Sequence, residues 1–347
     1  MGVLGITPVS SGRVGCRGAF QEVLTCLLLS CCLAHQYAAP RLFSNDSFLW
    51  AWNSPVELCT SRFNVPLNLK LFSLIGSPRI QTAGQRLVIF SPSRLGLYPY
   101  IFERTHICVN GGLPQLGNLT GHLTKAERDI LSLVQANQTG LGVFDWEEWR
   151  LTWERNWLSK TLYRDLSIKL VQQQRGPLET AEATNLAKEI FQTAAKNFYL
   201  ETIRLAKRLR PQYLWGFYHF PECYNFNYTR ADYDGRCYVT EKRRNDQLAW
   251  LWNESTVLFP NMYLSYRLKS MPIGAHFVRN RVQEAFRISA SRDPENPVPI
   301  YFYARPVYGD VPHKYLPEYE LVNTLGECVA LGVPGIVFWG GNITRSK

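Results

Sequence analysis

The sequence has no apolar run long enough to span a bilayer comfortably: "VLTCLLLSCCLA", from Val23 to Ala34, falls short of the roughly 20 residues a crossing helix needs. Its six histidines show neither HxH nor HExxH spacing, which argues against a histidine-held metal. No GxSxG elbow is present, so a serine hydrolase of that type is excluded. No glycine-rich phosphate loop follows the first candidate strand, and a dinucleotide-binding open sheet loses ground accordingly. Basic residues are scattered, the densest cluster being "EKRRND" at 241–246, and no nucleic-acid motif accompanies them. No internal repeat, low-complexity segment or linker divides residues 40–347.

With 347 residues, 46% hydrophobic and 19% charged, the chain can bury a large core and has the size of one barrel or two ordinary domains. Ten Trp, 18 Tyr and 18 Phe suit clefts for ligands with an apolar face and a polar edge, such as sugars, although most will be core. A formal charge of +10 favours a polyanionic partner or a solvated basic face.

Arg13 and Arg17, the apolar run, and then Ala38 and Ala39 follow the order of a secretory signal, or of a short signal anchor, over residues 1–39. A secreted route makes the Asn-x-Ser/Thr sites at Asn45, Asn118, Asn137, Asn227, Asn253 and Asn342 candidates for glycans. Five cysteines then remain, Cys59, Cys108, Cys223, Cys237 and Cys328. Cys223 and Cys237 bracket "CYNFNYTRADYDGRC" as a disulfide-stapled loop would, and the odd count leaves at least one thiol unpaired within the chain.

Short β-rich runs fall at 48–52, 86–90, 141–147, 213–218, 261–266, 298–304 and 335–340. Helical segments lie between most of them. The clearest runs from about Thr180, a candidate cap, to Arg210, where Pro211 stops it; others begin near His276 and Glu318. Strand and helix in alternation predict an α/β fold, a distorted (β/α) barrel with about seven to eight parallel strands. A barrel places its active site at the C-terminal strand ends, which here carry Asp145, Glu147, Tyr218, Tyr263, Arg305 and Trp339.

Asp145 and Glu147 in "DWEEW" project to one side if the strand continues, while Glu148 faces away. The pair could hold a metal, form ion pairs with Arg150 or Arg155, or act in glycoside hydrolysis. Closely spaced carboxylates raise one another's proton affinity, as a proton donor requires. Two acids on one strand cannot flank a scissile bond in the ordinary way, so the nucleophile comes from elsewhere. A 2-acetamido group supplies one. In that reading Glu147 protonates the glycosidic oxygen, Asp145 orients the acetamido group, Tyr218 and Tyr263 hydrogen-bond to it, and Trp339 walls the sugar.

These residues carry a resemblance. "FLWAWNSP", "FSLIGSPRI", "RLGLYPYI", "NGGLPQ", "DWEEWR", "LRPQYLWGFYHFPECYN", "NDQLAWLWNES", "VRNRVQEAFR" and "GIVFWG" are similar to the animal hyaluronidase family, most of all to its sperm-surface members. The resemblance implies a catalytic barrel over 40–347 and retaining, acetamido-assisted cleavage of β-1,4 bonds in hyaluronan, with chondroitin as a further substrate. It assigns Glu147 and Asp145 to catalysis, Tyr218 and Tyr263 to acetamido contacts, Trp339 and Tyr98 to the cleft, and Arg281 to a substrate carboxylate or to support of the site. It implies no cofactor, no structural metal, no nucleic-acid partner, and a secreted, acrosomal or sperm-surface address. Leu151 stands where Pro is usual, Gly142 where Ala is, and Phe226 where Tyr is common. Relatives continue into a cysteine-rich module that holds the partner of the cysteine matching Cys59, and then a lipid-anchor signal; neither is encoded up to Lys347. The competing expectations are a weak or inactive hyaluronan-binding adhesion protein and a chitinase-like enzyme.

Overall fold

The computed structural model describes residues 48–55, 57–79, 84–176 and 178–340. The leader expected at 1–39 and the candidate glycan sites at Asn45 and Asn342 lie outside these. Among the described residues, seven parallel strands carry the fold: β1 (Leu49–Asn53), β2 (Leu74–Ile75), β3 (Leu87–Phe90), and, after a small antiparallel pair, β4 (Tyr100–Ile101) with β5 (Cys108–Val109), β6 (Gly140–Phe144), β7 (Tyr213–Phe217), β8 (Tyr301–Ala304) and β9 (Gly335–Trp339). They form two ladders, β2-β1-β9-β8 and β3-β6-β7.

The stretch 257–261 joins the ladders. Leu258 bridges Ile300, Asn261 bridges Tyr303, and Phe259 bridges Tyr218, all in parallel sense. The strand expected at 261–266 is absent, and the ring position is filled a few residues earlier and only by isolated bridges. Pro260 explains the broken ladder, because it has no N–H to donate, although its carbonyl accepts from Tyr303 N at 2.8 Å. No ladder pairs β2 with β3 among the described residues. The backbones nevertheless touch, since a Cβ on Gly76 would overlap the Leu87 carbonyl.

Parity along the strands sorts the core into two parts. Leu49 and Ala51, Leu87 and Ile89, Leu141 and Val143, Val257 and Phe259, Tyr301 and Tyr303, and Val337 form one buried cluster, the filling of the barrel. The alternate residues, among them Val88, Phe90, Phe144, Trp215 and Phe217, pack outward against the helices. Gly142 belongs to this outward set, and a side chain there would run into the Trp215 ring. The long helix Thr180–Leu209 covers this side with Ala187, Phe191, Ala195, Tyr199 and Ala206 fully buried. Thr180 makes no side-chain cap; the cap position is Glu179, and Thr180 lies inside the first turn.

The helix expected from His276 spans Ile273–Ser289, and that near Glu318 continues through a π-turn at Val322–Gly326 to Ala330. Helices Leu119–Leu133 and Thr161–Arg175 add to those the sequence suggests. A disulfide joins Cys223 to Cys237, while Cys59, Cys108 and Cys328 are free thiols. The side chains of Asn118, Asn137, Asn227 and Asn253 are all exposed.

Candidate active site

β6 ends at Phe144, earlier than expected, yet its alternation carries on. Asp145 N donates to Phe90 O at 3.0 Å, which extends the β3-β6 pairing by one bond and keeps Asp145 in line with Leu141 and Val143 inside the barrel. By the same parity Tyr218 follows β7, Arg305 follows Tyr303, and Trp339 follows Val337. These side chains meet. A chamber of about 50 Å³ is lined by Ile89, Asp145, Glu147, Tyr218, Tyr263, Tyr303, Arg305 and Trp339.

Burial pushes Asp145 up to about 7, with Glu147 and then Glu148 adding to the rise and Arg150 opposing it. Asp145 therefore keeps its proton up to near neutrality. Glu147 is more open, its side chain 46% exposed, and Arg150 Nη1 lies 3.7 Å from its Oε1. On the chamber's other walls the hydroxyls of Tyr218, Tyr263 and Tyr303 are kept protonated, by burial first. Asn53 Nδ2 donates to Tyr303 Oη at 3.0 Å and Asn261 Nδ2 to Tyr218 Oη at 3.4 Å. Tyr263 Oη is buried without a well-aligned partner among the described residues, and the Arg305 guanidinium lies 4.3 Å from the centre of its ring.

Glu147 also borders an open groove of about 410 Å³ with Glu148, Tyr100, Phe102, Glu103 and Lys160. Glu148 does point away from the chamber, but into this groove. Lys160 Nζ ties the groove to the acid loop, donating to Glu148 O at 2.8 Å and Glu103 Oε1 at 3.3 Å.

Of the residues expected at the site, Tyr98 and Arg281 do not line the chamber. Tyr98 is fully buried, stacked on Trp149 with ring centres 5.1 Å apart, and borders no groove. Arg281 is 3% exposed and sits behind the chamber, bound to Asn225 and Asn261, where no substrate carboxylate reaches it. The amphipathic helix Ile273–Ser289 turns Arg281 inward along with Phe277, Val278 and Val282. Tyr303, Asn53 and Asn261 are additions to the expected site; parity with Arg305 along "YFYAR" is the available signal for Tyr303. Among the described residues no group of three or more His, Cys, Asp or Glu could hold a metal ion.

Residues 37–347 match the family described as Hyaluronidase, glycosyl hydrolase family 56. The chain belongs to the hyaluronidase family. It is 53% identical over 324 residues to Hyaluronidase-5 of Mus musculus, covering 93% of this chain and 61% of that protein. To Hyaluronidase PH-20 of Homo sapiens it is 50% identical over 324 residues, covering 93% and 63%. It thus spans less than two thirds of the length of these curated relatives. The crystal structure of bee venom hyaluronidase in complex with hyaluronic acid tetramer superposes with a TM-score of 0.69 at 28% identity, covering 85% of this chain and 90% of that one. A monoclinic crystal structure of bee venom hyaluronidase gives 0.67 at 29%, covering 84% and 91%. The family's distorted parallel α/β barrel is therefore the fold of this chain.

Proposed function

We propose that residues 40–347 form a single catalytic barrel that cleaves internal β-1,4 N-acetylhexosaminide bonds of hyaluronan, and of chondroitin as a further substrate, with retention and with help from the substrate's acetamido group. One observation carries the reading. Among the described residues, Asp145 and Glu147 are the only carboxylates lining the chamber, side by side, and none faces them across it. A double displacement needs a nucleophile on the opposite face, and here the protein offers none.

The chamber's size supports the same assignment. At about 50 Å³ the chamber is much smaller than the groove of about 410 Å³ that Glu147 also borders, which suits a substituent such as an acetamido group in the chamber and the sugar chain in the groove. Asp145 faces the acetamido N–H, and Tyr263, whose hydroxyl lies beside that of Tyr218, donates to its carbonyl oxygen, while that oxygen attacks the anomeric carbon and the bond to the leaving sugar breaks. Glu147, between the chamber and the open groove, gives its proton to the departing oxygen. Water then adds to the cyclic intermediate from the face the leaving group vacated, with Glu147 as base, and restores the starting configuration.

The relatives' names and the hyaluronic acid tetramer held by the bee enzyme favour hyaluronan as the polymer. Exposed glycan sites and the Cys223–Cys237 bond favour a secretory route behind the leader at 1–39, and the likeness to PH-20 favours a sperm-associated address. The test is depolymerisation of hyaluronan by purified protein, with Glu147→Gln and Asp145→Asn beside it. Loss of at least about 100-fold in each variant is expected. Unchanged rates in both would refute the mechanism, and no cleavage by folded parent protein would refute the activity.

A further inference from the structure

On the far side of the loop that carries the acids lies a separate cleft of about 270 Å³ that shares no residue with the catalytic chamber. Its walls come from three places: Leu151 and Thr152 of that loop, one face of the helix Thr180–Leu209, and Gln247, Leu248 and Trp250 around the start of the helix Ala249–Glu254. Trp250 is half-buried against the core and presents ring surface to the cleft. Lys196 Nζ lies 5.5 Å from its ring centre and makes no ion pair among the described residues.

One buried polar group there is left without a partner. Thr152 is 5% exposed, and its buried Oγ1 has no hydrogen-bond partner among the described residues. A buried hydroxyl without a partner is costly enough to need a reason. Gln192, which also lines the cleft, uses its carbonyl oxygen to accept from Trp153 N at 2.9 Å. The lining residues thus carry a hydroxyl, amides, an ammonium and an aromatic ring. Among the described residues no carboxylate lines it.

We infer that this cleft is a second, noncatalytic saccharide site, which stacks a uronate-bearing sugar on Trp250 and pairs its carboxylate with Lys196. The volume, just under the usual range of small-molecule sites, suits about one sugar ring with its neighbours in solvent. Aromatic stacking matches the apolar face of a pyranose, and a cation without carboxylate neighbours selects an acidic sugar over a neutral one. The choice of hyaluronan as the polymer rests on the function proposed above; the cleft itself does not.

The experiment is calorimetric titration of hyaluronan hexasaccharide into the full chain carrying Glu147→Gln, so that the ligand survives. Two sites per chain are expected. Trp250→Ala removes one, and Thr152→Val, which keeps the shape and deletes the hydroxyl, weakens the same site about tenfold. Lys196→Met gives the same loss if Trp250→Ala does not fold. A neutral chitin hexasaccharide is expected to leave this site empty. A single site indifferent to all three substitutions overturns the inference. If parent protein cuts no hyaluronan but a Trp250-dependent site persists, the hydrolase reading fails and the cleft stands; if it cuts hyaluronan and no such site is found, the cleft fails and the hydrolase reading stands.

Discussion

Arg281 Nη1 donates to both oxygens of Asn261, the main-chain carbonyl at 2.9 Å and Oδ1 at 3.2 Å, and Asn261 Nδ2 in turn reaches Tyr218 Oη at 3.4 Å. A cation buried between the Phe226 and Phe277 rings thereby sets a hydroxyl in the catalytic chamber without touching substrate. Lysine cannot reproduce the fork. Arg281→Lys should lower kcat by about tenfold or more with little change in KM, and cost about 2–4 kcal/mol of stability. Steady-state kinetics with thermal melts would show it, and a pure KM effect would instead place Arg281 on the substrate.

Tyr263 tests the chamber from the opposite direction. Its buried hydroxyl lacks a well-aligned partner before substrate arrives, so Tyr263→Phe gives up little on folding. The variant should melt within a degree or so of the parent while kcat/KM falls about 10- to 100-fold. Equal losses in both would make the hydroxyl structural.

Asp145 links activity to pH. Its folded-state value near 7 stands above the ordinary 3.8, so the folded chain is penalised as pH rises from about 3.8 to about 7, and not below. Asp145→Asn should therefore raise Tm at pH 8 by about 2–5 °C and leave it unchanged at pH 3.5. Activity of the parent should decline as pH passes about 7, where Asp145 loses its proton. A pH-rate profile flat through 7 would contradict this.

Glu222 behaves in the opposite sense. Burial alone would raise it, but His219, Arg155 and Arg281 hold it down at about 2. A depressed carboxylate stabilises the fold fully above about pH 4.5 and ceases to as pH falls through 2. Glu222→Gln should cost about 3–5 kcal/mol at pH 7, by taking a buried carboxylate away from His219 and Arg281 while Arg155 keeps Glu241, and should flatten the loss of stability between pH 4.5 and 2. Melting curves across that range would settle it.

How far the site was legible depended on whether the signal was local. The period of two along "GLGVFDWE" aims Leu141, Val143 and Asp145 into one space, and this alternation outlasts the strand, which stops at Phe144. The same parity leads to Tyr218 and Trp339. It gives Tyr98 no warning: "GLYPY" looks like any aromatic loop until Trp146 and Trp149 pack on both sides of the ring. At 261–266 the residue types suit a strand, and Pro260 together with the Arg281 fork prevents a regular ladder.

The sequence by itself determined the acid pair, the alternation of strand and helix that makes a parallel barrel, and membership in a hyaluronidase lineage. Each of these is written in neighbouring residues, where backbone periodicity and short motifs act. Tertiary structure alone decided which groups support that pair. Asn53 meets Tyr303 across 250 positions and Arg281 meets Asn225 across 56. No local period encodes such contacts, because they arise only when packing the barrel filling and the helix layer brings the strand ends to one mouth.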